Sequence, residues 1–278
     1  MNINLINLQM VCVHIVEKYS SCEKSISKKT MYKVPDVRCS KPLIYHCKDN
    51  DQLVFLQRML DFKFGQKKIN LSLPNEIGIS LNVFTKARDK SQFLLEKLKV
   101  DIKEKNDFYD KKVQLFYDYI EQIQIALIFS YKAVESFCNA TIPDSFIYKK
   151  KNSKGIQEVY GILEIERWIP TSEKLTEIIP EVLKCESPKA LKYWSDFKEL
   201  ETLRNEIIHC KKSNNIEITK KLLSNNILKI LNSSILVLNH FIKEDIANEV
   251  FPFGFLQTKW KIYEIEDPSK IFEWIHKA

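Results

Sequence analysis

Glycine is scarce, with 5 in 278 residues. Loops that cradle phosphates need glycine so that the backbone can approach the ligand. Neither G-x-G-x-x-G nor G-x-x-x-x-G-K-[ST] occurs, which argues against a nucleotide-triphosphate machine. Long apolar runs are also missing. The longest candidate, Ser233 to Ile242, is broken by Asn239 and His240 and falls short of the roughly 18–20 residues that span a bilayer. No membrane partner is expected. The opening Met1-Asn2-Ile3-Asn4 has neither the basic flank nor the apolar core of a secretory signal. The 7 cysteines, at 12, 22, 39, 47, 138, 185 and 210, make no C-x-x-C pair and are odd in number. They read as reduced thiols of a cytoplasmic protein. His14, His46, His240 and His276 show no metal-ligand spacing, so no metal and no cofactor are expected.

What is present is ordinary globular material, 45% hydrophobic and 28% charged. The formal net charge of +7 leans toward an anionic partner. The first part of the chain reads as β-rich. Ile69, Leu71 and Leu73, then Ile77, Ile79, Leu81 and Val83, alternate with polar neighbours around Pro74-Asn75-Glu76, predicting a β-hairpin. Met10 to Val16 and Pro42 to Cys47 are further strand candidates, and Asp51 to Phe62 has helical spacing. Residues 1–95 are thus expected to form a small β-rich or α+β module.

From about Ser91 the pattern turns helical. Asp107 to Ile142 predicts one long helix ended by the Ile142-Pro143 step. Tyr148 to Gly155 reads as a basic loop. A shorter helix is expected from Pro170 to Leu183, interrupted at Pro180, and another from Ser187-Pro188 through Ile207. A further long helix is expected over about 218–247, and a short amphipathic piece over Pro268 to His276. The expected class is mainly α: a bundle of long antiparallel helices over residues 96–278, preceded by the small module.

One hexapeptide carries chemistry: Arg204-Asn205-Glu206-Ile207-Ile208-His209. Arginine supplies a permanent cation whose forked donors match a phosphate. Histidine exchanges protons near neutral pH. On an ideal helix Asn205 and His209 share a face opposite Leu200, Leu203 and Ile207, while Arg204 lies about 140° round from His209. The two reach one phosphate only if the helix deforms or ends there, and the polar stretch from Lys211 to Asn215 allows an end. Lys211 and Lys212 beside the motif are the best nucleic-acid-binding lysines, whereas Lys149, Lys150 and Lys151 read as solvated surface. In the long helix, Tyr131, Glu135 and Asn139 recur every four residues as a polar seam. This seam is either the helix's solvent edge or a reach across the helix pair, with Glu135 bracing Arg204 or His209.

The run Ala133-Val134-Glu135-Ser136-Phe137-Cys138-Asn139-Ala140-Thr141-Ile142-Pro143 resembles the first core helix of HEPN domains. Arg204 to His209 matches their R-x(4–6)-H signature, with the favoured Asn directly after Arg. The resemblance covers roughly residues 100–250. It implies a metal-independent endoribonuclease of a toxin, abortive-infection or other antiviral system, acting as a homodimer with two motifs facing across a twofold axis. Carried over, Arg204 binds the scissile phosphate, His209 is general acid or base, and Asn205 orients the phosphate or the histidine; Glu135 joins these candidate site residues through the seam. Such a protein acts on RNA, and an antitoxin or sensor partner is a further implication. Tyrosine two residues after the histidine marks members silenced by nucleotidyltransferases; Lys211 stands there instead. The alternative expectation is a catalytically silent HEPN-like helical protein that binds nucleic acid or a protein partner.

Overall fold

The computed structural model describes residues 3–16, 36–103, 111–209, 215–252 and 258–266, with backbone alone for 3–16, 100–103, 111 and 215. The chain divides into two compact units, one formed by residues 1–78 with 246–278 and the other by 79–245. The expected boundary at 95/96 is drawn from composition, whereas this division follows contacts and places the C-terminal residues with the N-terminal ones.

The first unit is a mixed five-stranded sheet. β3 (Gln52–Phe64) is its spine. β1 (Ile3–Val16) pairs antiparallel along one side of β3, and β2 (Leu43–Cys47) and β4 (Lys67–Ser72) share the other side. β7 (Ile262–Ile265) adds parallel to β2. Leu53, Val54, Phe55 and Leu56 are all buried, which is the continuous apolar run of a strand covered on both faces. This overturns the helix expected over 51–62: its three- and four-residue spacing is incidental to a run in which intervening positions are buried too. Gly65, at φ +64°, sits in the two-residue turn between Phe64 and Lys67, where a left-handed backbone favours glycine. Tyr45, Cys47, Val54 and Leu56 form the unit's apolar core with Leu43, Tyr263 and Ile265 against it.

The hairpin predicted around Pro74 is also corrected. β4 pairs with β3, and from Glu76 the chain is helical, as α1 (Glu76–Lys103). Asn75 decides this locally: its Oδ1 accepts a bond from the Gly78 N–H at 2.9 Å, a helix N-cap, while its Nδ2 donates to the Val250 carbonyl. Ile77, Leu81, Phe84, Ala87, Leu94 and Leu98 are buried at helical spacing. The 77–83 alternation therefore reported two residues of a helical stripe and their chance neighbours.

The second unit is built on α2 (Lys111–Thr141). A hairpin follows, β5 (Tyr148–Lys151) with β6 (Gln157–Tyr160), where a basic loop was expected. Next come α3 (Ile162–Trp168) and α4 (Thr171–Glu173), a π-helical turn Lys174–Ile178, and α5 (Ile179–Leu183). Pro180 lacks the N–H that an α-helix would need, and the wider turn fits it: the Ile179 N–H bonds the Lys174 carbonyl, five residues back. A 3-10 turn at Pro188–Ala190 leads to α6 (Trp194–Ile208), then α7 (Asn215–Leu222) and α8 (Ile227–Glu244). The single helix expected over 218–247 is thus two, split at Leu223-Ser224-Asn225-Asn226.

The mainly-α class is overturned. The chain is α+β, with the mixed sheet and the β5–β6 hairpin alongside the helices, although the sheet does match the expected N-terminal module. The long helices α2 and α6 also do not pair as antiparallel neighbours. Tyr131 meets Phe197 and Glu201, and Glu135 meets Arg204, so contacts between α2 and α6 advance in the same sense. Tyr119 also donates to the Leu222 carbonyl at the end of α7, and Phe137 packs on Phe241 of α8. Antiparallel packing needs short loops, whereas residues 142–193 carry the chain back before α6 begins. No described helix is long and apolar enough to cross a membrane. The expected piece at 268–276 lies outside the described residues.

Candidate active site

α6 is amphipathic along its first three turns, with Phe197, Leu200 and Leu203 fully buried. The same buried side carries Glu201, 7% exposed, and a buried carboxylate must be paired. It is. Oε1 accepts from the Tyr131 hydroxyl at 2.9 Å and the Ser172 N–H at 3.2 Å, and Oε2 accepts from Lys198. Lys198 also donates to Ser172 Oγ at 3.0 Å. Burial works against ionisation of Glu201, but the Lys198, Tyr131 and Ser172 donors outweigh it and hold the carboxyl below its ordinary range. Burial, then the Glu201 charge, pushes the Tyr131 hydroxyl far up. Both groups are fixed in one protonation state near neutral pH.

One turn on, Arg204 leaves the packed surface. Its guanidinium carbon lies 5.1 Å above the Tyr131 ring, its Nη1 donates to Asn205 Oδ1 at 2.9 Å, and its Nη2 is 3.8 Å from Glu135 Oε2. The seam on α2 therefore reaches across the helix pair. Tyr131 and Glu135 meet α6, and Asn139 Oδ1 accepts a 2.8 Å bond from the buried Lys174. Lys174 also donates to the Glu166 carbonyl at 3.3 Å, tying the π-helical turn to α2 and α3. Burial lowers its ammonium's pKa.

These residues border an open cleft of about 460 Å³, walled by α2, α3, α4 and α6. Arg204, Asn205 and Glu135 line it together, with Tyr131, Glu201, Lys198, Arg167 and Trp168. His209 does not. α6 ends at Ile208, and His209 follows as its exposed C-cap at φ −107°, ψ 44°, its N–H bonded to the Asn205 carbonyl. The helix thus stops where the motif needs a stop, but the imidazole stays on the surface outside the cleft. Lys211 and Lys212 lie outside the described residues.

Sequence reasoning passed over Glu201 and Lys174. Each had a signal: Glu201 falls four residues after Phe197 and beside Leu200 on the apolar stripe, and Lys174 precedes Leu175 in an apolar segment near Pro180. Chemically, the cleft can bind an anion at Arg204 and offers a fixed dipolar wall in Tyr131 and Glu201. No histidine is among the described residues that line it. Comparison with protein-family models, curated proteins and solved structures finds no match to this chain.

Proposed function

We propose that the chain is a metal-independent endoribonuclease of HEPN type, serving a defence or toxin system and acting as a homodimer. The observation that carries this is Arg204, held on the open cleft by Tyr131 and Glu135, with α6 ending at His209 five residues on. Arg204 grips the nonbridging oxygens of a scissile phosphate and stabilises the charge that builds there. Asn205, bonded to Arg204, fixes the guanidinium plane. The ribose 2′-oxygen attacks phosphorus and the bond to the 5′-oxygen breaks, leaving a 2′,3′-cyclic phosphate and a 5′-hydroxyl. One His209 takes the 2′-hydroxyl proton and a second, from the other copy, gives one to the departing oxygen. An exposed imidazole outside its own cleft suits a site completed by a twofold partner.

A second reading is favoured by the same imidazole. With His209 absent from the cleft lining, a silent chain that binds nucleic acid or a protein partner needs no further rearrangement. The two readings separate in one experiment. Purified wild type and His209→Ala are incubated with labelled RNA in the presence of a chelator, and solution mass is measured in parallel. The nuclease predicts a dimer that yields cyclic-phosphate ends, with cleavage down by about 10²–10⁴ in the variant and folding unchanged. No cleavage by wild type leaves the binding reading, and equal cleavage by both proteins removes His209 from the chemistry and overturns the mechanism.

A further inference from the structure

Trp168 closes α3 and is 63% exposed, a large aromatic surface left in water. A single exposed apolar residue is unremarkable; its position and neighbour are the informative part. Trp168 lines the same cleft as Arg204 and Asn205. The Arg167 guanidinium carbon lies 4.9 Å from the indole centroid, which orients the ring while leaving most of it open.

The charges of the cleft say what kind of ligand such a ring would serve. Its lining carries three cations, Arg167, Lys198 and Arg204, and three carboxylates, Glu135, Glu166 and Glu201. Glu201 is taken up by its own donors, Lys198 among them, and Glu135 stands by Arg204. A groove that followed a polyanion by charge would not carry that balance. It suits instead a ligand with one phosphate and one flat apolar face. We propose that Trp168 is the stacking platform for an unpaired nucleobase adjoining the phosphate bound by Arg204, so that the substrate is single-stranded RNA. This rests on the proposed role of Arg204 toward an RNA phosphate. A base inside a duplex already has both faces stacked and offers none to Trp168, so paired RNA is excluded.

The test uses the full chain and a short 2′-fluoro oligoribonucleotide, which keeps the bases but lacks the nucleophile and so reports binding alone. Wild type should bind the single strand with quenching of tryptophan fluorescence and a shallow dependence on salt. Trp168→Ala should weaken binding about tenfold or more and abolish the quenching. Trp168→Phe, which keeps a ring, should retain most of the affinity. Because the side chain is exposed, thermal melts of the variants should coincide with wild type. Equal affinity in Trp168→Ala, equal affinity for the annealed duplex, or no binding by wild type would each overturn the proposal. If binding follows Trp168 but natural RNA is never cleaved, the stacking site stands and the nuclease reading falls. If natural RNA is cleaved with an unchanged KM in Trp168→Ala, the nuclease stands and the stacking site falls.

Discussion

Two of the carboxylates on the cleft wall, Glu201 and Glu135, live under opposite rules. Glu201 is buried and takes bonds from three donors on three elements. Glu135, on the facing helix, is half-buried and stands 3.8 Å from Arg204. The first arrangement is over-determined. Removing any one partner leaves the others in place, and the group stabilises the packing of α2, α4 and α6. The second is loose enough for an anion to compete for the arginine. A site that must hold its scaffold and yet exchange ligands needs both, and here Glu201 and the Arg204 that meets Glu135 stand one turn apart on α6.

Breaking the rigid half should have the largest effect on stability. Glu201→Ala strands the Tyr131 hydroxyl and the Ser172 N–H in a buried setting, and we expect a loss of about 3 kcal/mol in urea unfolding. Little of that belongs to the half-exposed Lys198. Tyr131→Phe is milder. It keeps the ring beneath Arg204 and against Phe197 and deletes one donor, so about 1 kcal/mol is expected. A Glu201→Ala protein as stable as wild type would erase the distinction between the two carboxylates.

Acid should act on the same half. The Glu201 pKa in the folded chain lies below its ordinary 4.5, so below that value the unfolded chain takes up a proton before the folded one does. Stability linked to Glu201 is therefore fully present above pH 4.5 and is lost as pH falls through the lower, folded value. Glu201→Gln, which cannot ionise, should show a shallower decline of unfolding free energy as pH falls below 4.5. An identical acid slope in both proteins would mean that other carboxylates set it.

The open half was the more legible in the sequence, for a physical reason. Helical periodicity is a local property, and it marked α2 to within a few residues and put Tyr131, Glu135 and Asn139 on one seam. The seam's reach to Arg204 then followed once α2 and α6 packed through their apolar stripes. What escaped depends on distant chain. The parallel pairing of β7 with β2 joins Ile262 to Ile44, and nothing near either residue announces the other. β3 carries a helix-like spacing because a strand buried on both faces has no alternation to detect. Glu201 escaped because its donors come from α2, α4 and its own helix, and only their convergence turns a costly charge into a stable one. The offset of His209 was visible as an angle on an ideal helix, and it persists in the folded chain as an exposed C-cap.

The smallest stability effect is the most discriminating. Glu135→Gln keeps the size of the side chain and removes its charge. At 3.8 Å and with both partners partly in water, the lost ion pair should change unfolding free energy by less than about 0.5 kcal/mol. If Glu135 orients Arg204 for a phosphate, RNA cleavage should nevertheless fall about tenfold, the scale seen when a supporting carboxylate is removed. That loss should appear in kcat more than in KM, because orientation matters most where charge develops. A neutral change in both stability and cleavage would return Glu135 to the solvent edge of its helix. A stability loss as large as that of Glu201→Ala would show that the loose half of the cleft is scaffold as well.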